Sequence, residues 1–372
     1  MRNISLVFLV FLFCLSISAL ADDDAAPKAY DWGGALTLEA VNNAKGGVEK
    51  GTKGLANLDV TLTIDTGAAG WWNNGTWFIY ALGNYGKNPS DIIGDLQSVS
   101  NISTENSLKV YEFWYEHRFV NDAVKLLVGL QDYNSTFYTL ESASLFTSSS
   151  FGIGPDTSQV TPSIFPATST AIHLTLQQDK FYFLLAAYDG VPGDPNNPRG
   201  THVQFDKGDG LFKAAEFGLI DSKQYKFALG GWQKTTEEDG VVDGVPINLN
   251  HGFYIIGEKN LSDDLSLFFQ YGRADAKKNQ LDEYLGGGVR LNNYWREGDA
   301  LGLGCSIAQN GEPFLRQNPG LESSEALWEL TYFMPLVEHL NTQASVYYVE
   351  NPSMNPELDN ALALGLRAYI EF

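Results

Sequence analysis

Cysteine, histidine and positive charge are scarce in this 372-residue chain, and beyond residue 21 no apolar run is long enough to cross a bilayer as a helix. Two cysteines are present, Cys14 and Cys305. Cys14 sits in an amino-terminal apolar segment, so the rest of the chain holds neither an internal disulfide nor a cysteine metal cluster. The five histidines are scattered, from His117 and His173 through His202 and His251 to His339, and give no paired ligands. No metal and no cofactor is expected. Lys and Arg total 24 against 45 for Asp and Glu, a formal net charge of −21 that argues against nucleic acid as a partner. Without a spanning helix, residence in a membrane requires a closed β-barrel, the other structure that satisfies every backbone polar group in lipid.

What is present points to export and to sheet. Arg2, an apolar run from Ile4 to Leu15, the small-residue stretch SISALA and then DDD compose a secretory signal, so residues 1–21 read as a signal peptide and residues 22–372 as the mature domain. Its alternative is an uncleaved anchor over residues 4–21. Aromatic residues make up 13% of the chain, with 22 Phe, 18 Tyr and 8 Trp, while 19% of residues are charged. That composition suits strands with abundant interfacial side chains.

The chain closes on NALALGLRAYIEF, where Leu362, Leu364, Leu366, Ala368, Ile370 and Phe372 share one face of a strand. The opposite face carries Arg367, Tyr369 and Glu371. Alternation recurs at Leu58, Val60, Leu62 and Ile64 against Asn57, Asp59, Thr61, Thr63 and Asp65, and again over residues 325–334. Sixteen such segments can be counted, and the connections between them alternate in length. NNAKGGVEKGTKG, GKNPSDIIGDLQSVSNISTENS and GVPGDPNNPRGTHVQFDKGDG are long, whereas HRFVNDA, QQDK, NLSDD and MPLVEH are short. An antiparallel barrel puts every other connection at the same end, so this rhythm predicts one smooth rim and one elaborated rim. The expected fold is all-β, a transmembrane antiparallel β-barrel of about sixteen strands. A soluble barrel or sandwich with a ligand core is the competing fold.

One segment breaks the rhythm. Residues 136–168, between the fifth and sixth strands, are too long and too rich in Ser, Thr, Gly and Pro for a turn, yet Phe137, Tyr138, Phe146, Phe151 and Phe165 argue that they pack against something. The inside wall of the barrel is the available surface, and a loop folded there constricts the pore. Parity nominates inward-facing charges for a solute-binding eyelet: Glu39, Asp59, Glu112, Glu116, Arg118, Arg290, Glu329 and Arg367, joined by Asp132. Each has a structural alternative, a lumen ion pair that stiffens the wall without touching cargo. Trp32, Trp71, Trp72, Trp77, Trp232 and Trp295 fall at or beside turns and are expected in interfacial girdles.

The motifs GDLQSVSNI (94–102), LKVYEFWYEHRF (108–119), GLQDYNSTF (129–137), LFTSSSFG (145–152), YDGVPGDP (188–195) and VENPSMNPELDNALALGLRAYIEF (349–372) resemble the carbohydrate-selective porins of Gram-negative outer membranes. The likeness runs in order through the mature chain. It implies a sixteen-stranded barrel that lets monosaccharides and related small polar solutes diffuse inward, an internal loop after the fifth strand, a charged constriction, and a terminal aromatic read by the outer-membrane assembly machinery. Outer-membrane lipids are the implied surroundings, and association into homo-oligomers is left open. The chain departs from relatives at Ser345 and Val346, where a Gln often precedes the aromatic pair. Diffusion of a sugar such as glucose needs a polar wall and no catalyst. An enzymatic reading would rest on Glu112, Glu116 and His117, but Glu112 and Glu116 stand roughly 13 Å apart along a strand, too far to share one glycosidic bond. A general small-solute porin and a non-conducting, adhesin-like barrel are the remaining alternatives.

Overall fold

The computed structural model describes residues 28–221, 224–236, 240–241 and 249–372, so the expected signal peptide lies outside the described residues. The strands are β1 (Tyr30–Lys45), β2 (Gly51–Asp65), β3 (Gly75–Gly86), β4 (Ser107–Phe119), β5 (Val124–Gln131), β6 (Ser169–Gln178), β7 (Phe181–Asp189) and β8 (Leu211–Asp221). The second half supplies β9 (Tyr225–Lys234), β10 (Asn250–Asn260), β11 (Leu265–Ala274), β12 (Leu281–Asn292), β13 (Ala300–Asn310), β14 (Ser324–Val337), β15 (Leu340–Glu350) and β16 (Ala361–Glu371). Each strand pairs antiparallel with its sequence neighbours, and β1 pairs with β16 to close the ring. Closure leaves no strand edge to be satisfied by solvent.

The alternation read from sequence decides which side of the wall each residue faces. In β16, Leu362, Leu364 and Leu366 are exposed while Ala361, Ala363 and Arg367 are buried. In β14, Trp328 and Leu330 are exposed while Glu325, Leu327, Glu329 and Thr331 are fully buried. An apolar outside around a charged inside inverts the pattern of a soluble barrel, and lipid is the surrounding that stabilises it.

Connections follow the expected asymmetry with one correction. Residues 120–123, 179–180, 261–264 and 338–339 are tight turns at one rim, and residues 87–106, 132–168, 190–210 and 311–323 are long connections at the other. The first connection, expected to be long, is confined to residues 46–50, because β1 and β2 extend through most of NNAKGGVEKGTKG and remain paired from Asn43 with Gly51 onward.

At the short-turn rim Trp32, Trp71, Trp72 and Trp295 are exposed. Trp77, on the outer face of β3, stacks on Phe113 and contacts Tyr115. Trp232 departs from the girdle expectation: it shares the inward face of β9 with Ala228 and Lys234, is buried, and donates its indole N–H to Thr157 Oγ1 at 3.0 Å. Nearness to a turn did not identify its face; parity within β9 does.

In β4 the alternation slips once. Tyr80 faces Glu112 and Ala81 faces Val110, so Tyr111 is an extra residue, a β-bulge that sends Tyr111 and Glu112 to the same side. Lys109 and Tyr111 above the bulge, and Trp114, Glu116 and Arg118 below it, therefore all point inward. Above the bulge β4 outruns β5, and Thr201 of the 190–210 connection covers that edge by exchanging hydrogen bonds with Val110 N (2.7 Å) and Val110 O (2.9 Å).

Candidate functional site: the lumen and the segments folded into it

A loop drawn inside a barrel brings a backbone whose N–H and C=O groups have no ladder to join, and each must find a partner once buried. Inward-facing wall charges supply those partners, and their sign follows the polarity of the backbone group they meet. Carboxylates take the amides. Glu216 accepts from Tyr138 N at 2.9 Å as well as from the Tyr182 and Tyr254 hydroxyls at 2.6 Å. Glu258 accepts from Glu141 N at 3.2 Å and Ser142 N at 2.7 Å, and Glu329 from Thr147 N at 2.9 Å and Ser148 N at 3.0 Å. Cations and amides take the carbonyls. Lys226 donates to Thr139 O at 2.7 Å, Lys234 to Val160 O at 2.7 Å, Arg290 to Glu141 O at 3.1 Å, and Gln270 to Phe151 O at 2.8 Å.

Space for the loop comes from small wall residues. A Cβ at Gly302 would stand 2.8 Å from Leu145, and one at Gly304 would stand 2.7 Å from Phe151. Both glycines share the inward face of β13, so ALGLGCSIA is a floor for loop side chains. Phe146 and Phe151 pack together there, with ring centroids 4.6 Å apart, and both meet Phe268 of β11.

A second connection also folds in. Glu325 accepts from Leu96 N at 2.9 Å, Gln97 N at 3.0 Å and Ser353 N at 2.8 Å, tying the 87–106 and 351–360 connections to β14. The two inserted segments then join each other, Asn101 N to Thr147 O at 2.8 Å and Ser149 N to Ser98 O at 2.9 Å.

The nominated residues all lie inside but do not form one ring. Glu39 and Arg367 are direct register partners across the β1/β16 seam and make a buried ion pair at 3.1 Å. Ser100 Oγ donates to Glu39 at 2.5 Å and Arg367 donates to Asn101 Oδ1 at 2.9 Å, so this pair holds the 87–106 connection, while Glu329 nearby holds the longer loop. A second group gathers at the bulge. Asp59 accepts from Tyr80 OH at 2.6 Å and from Asn57 Nδ2 at 2.7 Å, Glu112 accepts from Asp132 N at 2.8 Å, and Tyr111 OH donates to Asp132. Asp132 caps the first turn of the loop through Asn134 N at 2.7 Å. Its carboxyl is pushed up to about 6, burial outweighing the bonds from Tyr111 and Asn134.

Arg118 pairs with Asp65 at 3.4 Å near the short-turn rim, below the half-buried Glu116. Arg290 stands apart, on Asn292 Oδ1 at 2.8 Å and on the loop. Phe78 stacks on Trp114, ring centroids 4.9 Å apart, and leads through Tyr80 and Tyr111 to Phe165 of the loop. Sequence reasoning missed Glu216, Glu258, Glu325, Lys226 and Lys234. Each obeys the same parity, with Glu216 in phase with Phe212 and Ala214, and the small residue beside it was the available signal of something seated on the wall.

Within the loop Asp156 is fully buried beside Thr157, which donates to it at 3.1 Å, and burial pushes its carboxyl up to about 7. Among the described residues no group of His, Cys, Asp and Glu is arranged to hold a metal ion.

The sequence profile of the family described as carbohydrate-selective porin, OprB family, matches residues 49–372. No curated protein matches in sequence. Among solved structures, the chain is similar to the high-pH structure of Pseudomonas putida OprB, with a TM-score of 0.80 at 18% identity over 92% of this chain and 94% of that one. The low-pH structure of the same protein gives a TM-score of 0.59 at 13% identity over 92% and 93% of the two chains. The outer membrane channel DcaP of Acinetobacter baumannii gives 0.61 at 9% identity over 92% and 97%.

Proposed function

From a chain that belongs to the carbohydrate-selective porin family, OprB, and so to the Gram-negative outer membrane, we propose passive, selective diffusion of small neutral sugars such as glucose through a lumen narrowed by residues 132–168. The observation that carries this reading is the anchoring of that segment on Tyr111 and Glu112 of β4 at its start and on wall charges from β8 to β14 along its length, which leaves the half-buried groups of β2 to β4 to face it. That wall offers Asp59, Tyr80 and Glu116 beside the stacked Phe78 and Trp114, a mixture of acceptors and aromatic faces suited to a pyranose that exchanges water hydrogen bonds for protein ones. The short-turn rim faces the periplasm and the long connections face outward, the usual polarity of such barrels.

Reconstituted protein in liposomes, assayed with glucose, a disaccharide and an amino acid, tests the reading. Glucose entry that outpaces the other solutes, and that falls in Asp59→Asn or Glu116→Gln, is expected. Equal entry of every solute below a size limit makes the protein a general porin, and no entry through a folded barrel removes the transport reading.

A further inference from the structure

On the short-turn side of the loop the lumen opens into a cavity of about 350 Å³ that the eyelet does not include. Its size lies at the small end of the ~300–1,000 Å³ range of small-molecule sites. Loop residues 139–142 form one side and the inward faces of β9 to β12 form the other. This side is fixed in place: Lys226 holds the Thr139 carbonyl, Glu258 holds the amides of Glu141 and Ser142, and Arg290 holds the Glu141 carbonyl. Three wall charges on different strands thus set the loop face of the cavity before any ligand arrives.

Much of the remaining surface is polar. Asn260, Ser266 and Asn292 line the cavity, offering donors and acceptors at neutral groups. Charge selects against anions. Carboxylates of Glu141, Asp221, Glu258, Asp263 and Asp264 outnumber the cations Lys226 and Arg290 around the cavity, so an anion is repelled. A compact molecule without negative charge and rich in hydroxyls suits this lining.

We infer that this cavity is a second saccharide site, a monosaccharide-sized pocket on the periplasmic side of the constriction that a sugar occupies after passing it. The inference rests on the sugar-diffusion reading and adds to it a resting place outside the eyelet. Such a site holds sugar loosely on exit, since conduction requires binding strong enough to enter and weak enough to leave.

The test uses the mature chain in planar bilayers, with Asn260→Cys introduced on a Cys305→Ser background because Cys305 lies on the outward face of β13. A bulky neutral thiol reagent is added from each side in turn, with glucose, gluconate or neither. Modification is expected from the short-turn side, with glucose slowing it about threefold when present at about twice its apparent Kd, and gluconate leaving it unchanged. Glucose that crosses these same channels without slowing modification overturns the pocket and leaves the diffusion reading standing. Glucose that neither crosses nor protects contradicts both. Ser262→Cys, exposed in the turn between β10 and β11 and also lining the cavity, gives the same readout if Asn260→Cys does not assemble, and protection there supports the site while its absence, with glucose still crossing, overturns it.

Discussion

Glu39 and Arg367 show how a pair of opposite charges on the inner wall holds a folded-in segment. Breaking a buried pair leaves one uncompensated charge, at a cost of about 3–5 kcal/mol, whereas removing both partners costs much less. Glu39→Gln or Arg367→Met alone should therefore lower the unfolding midpoint of the detergent-solubilised barrel, and the double variant should recover most of the loss. A double-mutant cycle with additive effects would mean that the contact at 3.1 Å contributes no coupling. Asp156 gives a residue-scale prediction of different form. Its folded-state pKa stands near 7, raised by burial from an ordinary value of 3.8, so the folded protein binds that proton more tightly than the unfolded chain does. The contribution to stability is fully present below about pH 4 and is lost as pH rises through about 7. Relative to the parent protein, Asp156→Asn should be no more stable in acid and progressively more stable toward neutral pH. A stability difference that is flat with pH would contradict the assignment.

At the scale of elements, the bulge in β4 is the instructive feature. Because Tyr111 and Glu112 face the same way, deleting Glu112 keeps every other side chain of β4 on its present face, and the barrel should still assemble with heat-modifiable migration on a gel. Inserting an alanine after Glu116 has the opposite effect, turning His117, Arg118 and Phe119 to the wrong faces. Assembly of the insertion but not of the deletion would contradict the bulge. Strict alternation made β2, β14 and β16 legible from sequence, down to the facing of individual side chains, because one face meets lipid and the other does not. The bulge was not legible, since YEFWYEH supports either phase around Tyr111. The loop after β5 was legible from its length and its aromatic residues. The inward turn of residues 94–101 was not, because its anchor Glu325 lies more than two hundred residues away in sequence, with separations of 229 and 228 positions to Leu96 and Gln97. The same distance hid the division of labour among the charges. Parity brought all of the nominated residues inside, but which carboxylate meets a loop amide and which remains beside the passage is decided by where the loop lies.

For the whole molecule, the barrel is a frame that binds its own loop, at its start on Tyr111 and Glu112 of β4 and along its length on charges from β8 to β14. Glu216, Glu258 and Glu329 hold that arrangement at three points along the loop. Removing Glu216 or Glu329 leaves buried amides without acceptors at about 1–3 kcal/mol per group, and removing Glu258 frees two more loop amides, so the loop loses its place while the outward face of the barrel, and its assembly in lipid, remain. The most direct measurement is the ratio of glucose to disaccharide flux in liposomes for the parent protein and for the combined variant Glu216→Ala, Glu258→Ala and Glu329→Ala, each confirmed as a folded barrel. A ratio well above one in the parent that collapses toward one in the variant, with a larger single-channel conductance, is the predicted result. A ratio and conductance unchanged by loss of all three anchors would contradict the account, because selection would then not depend on the loop those charges hold.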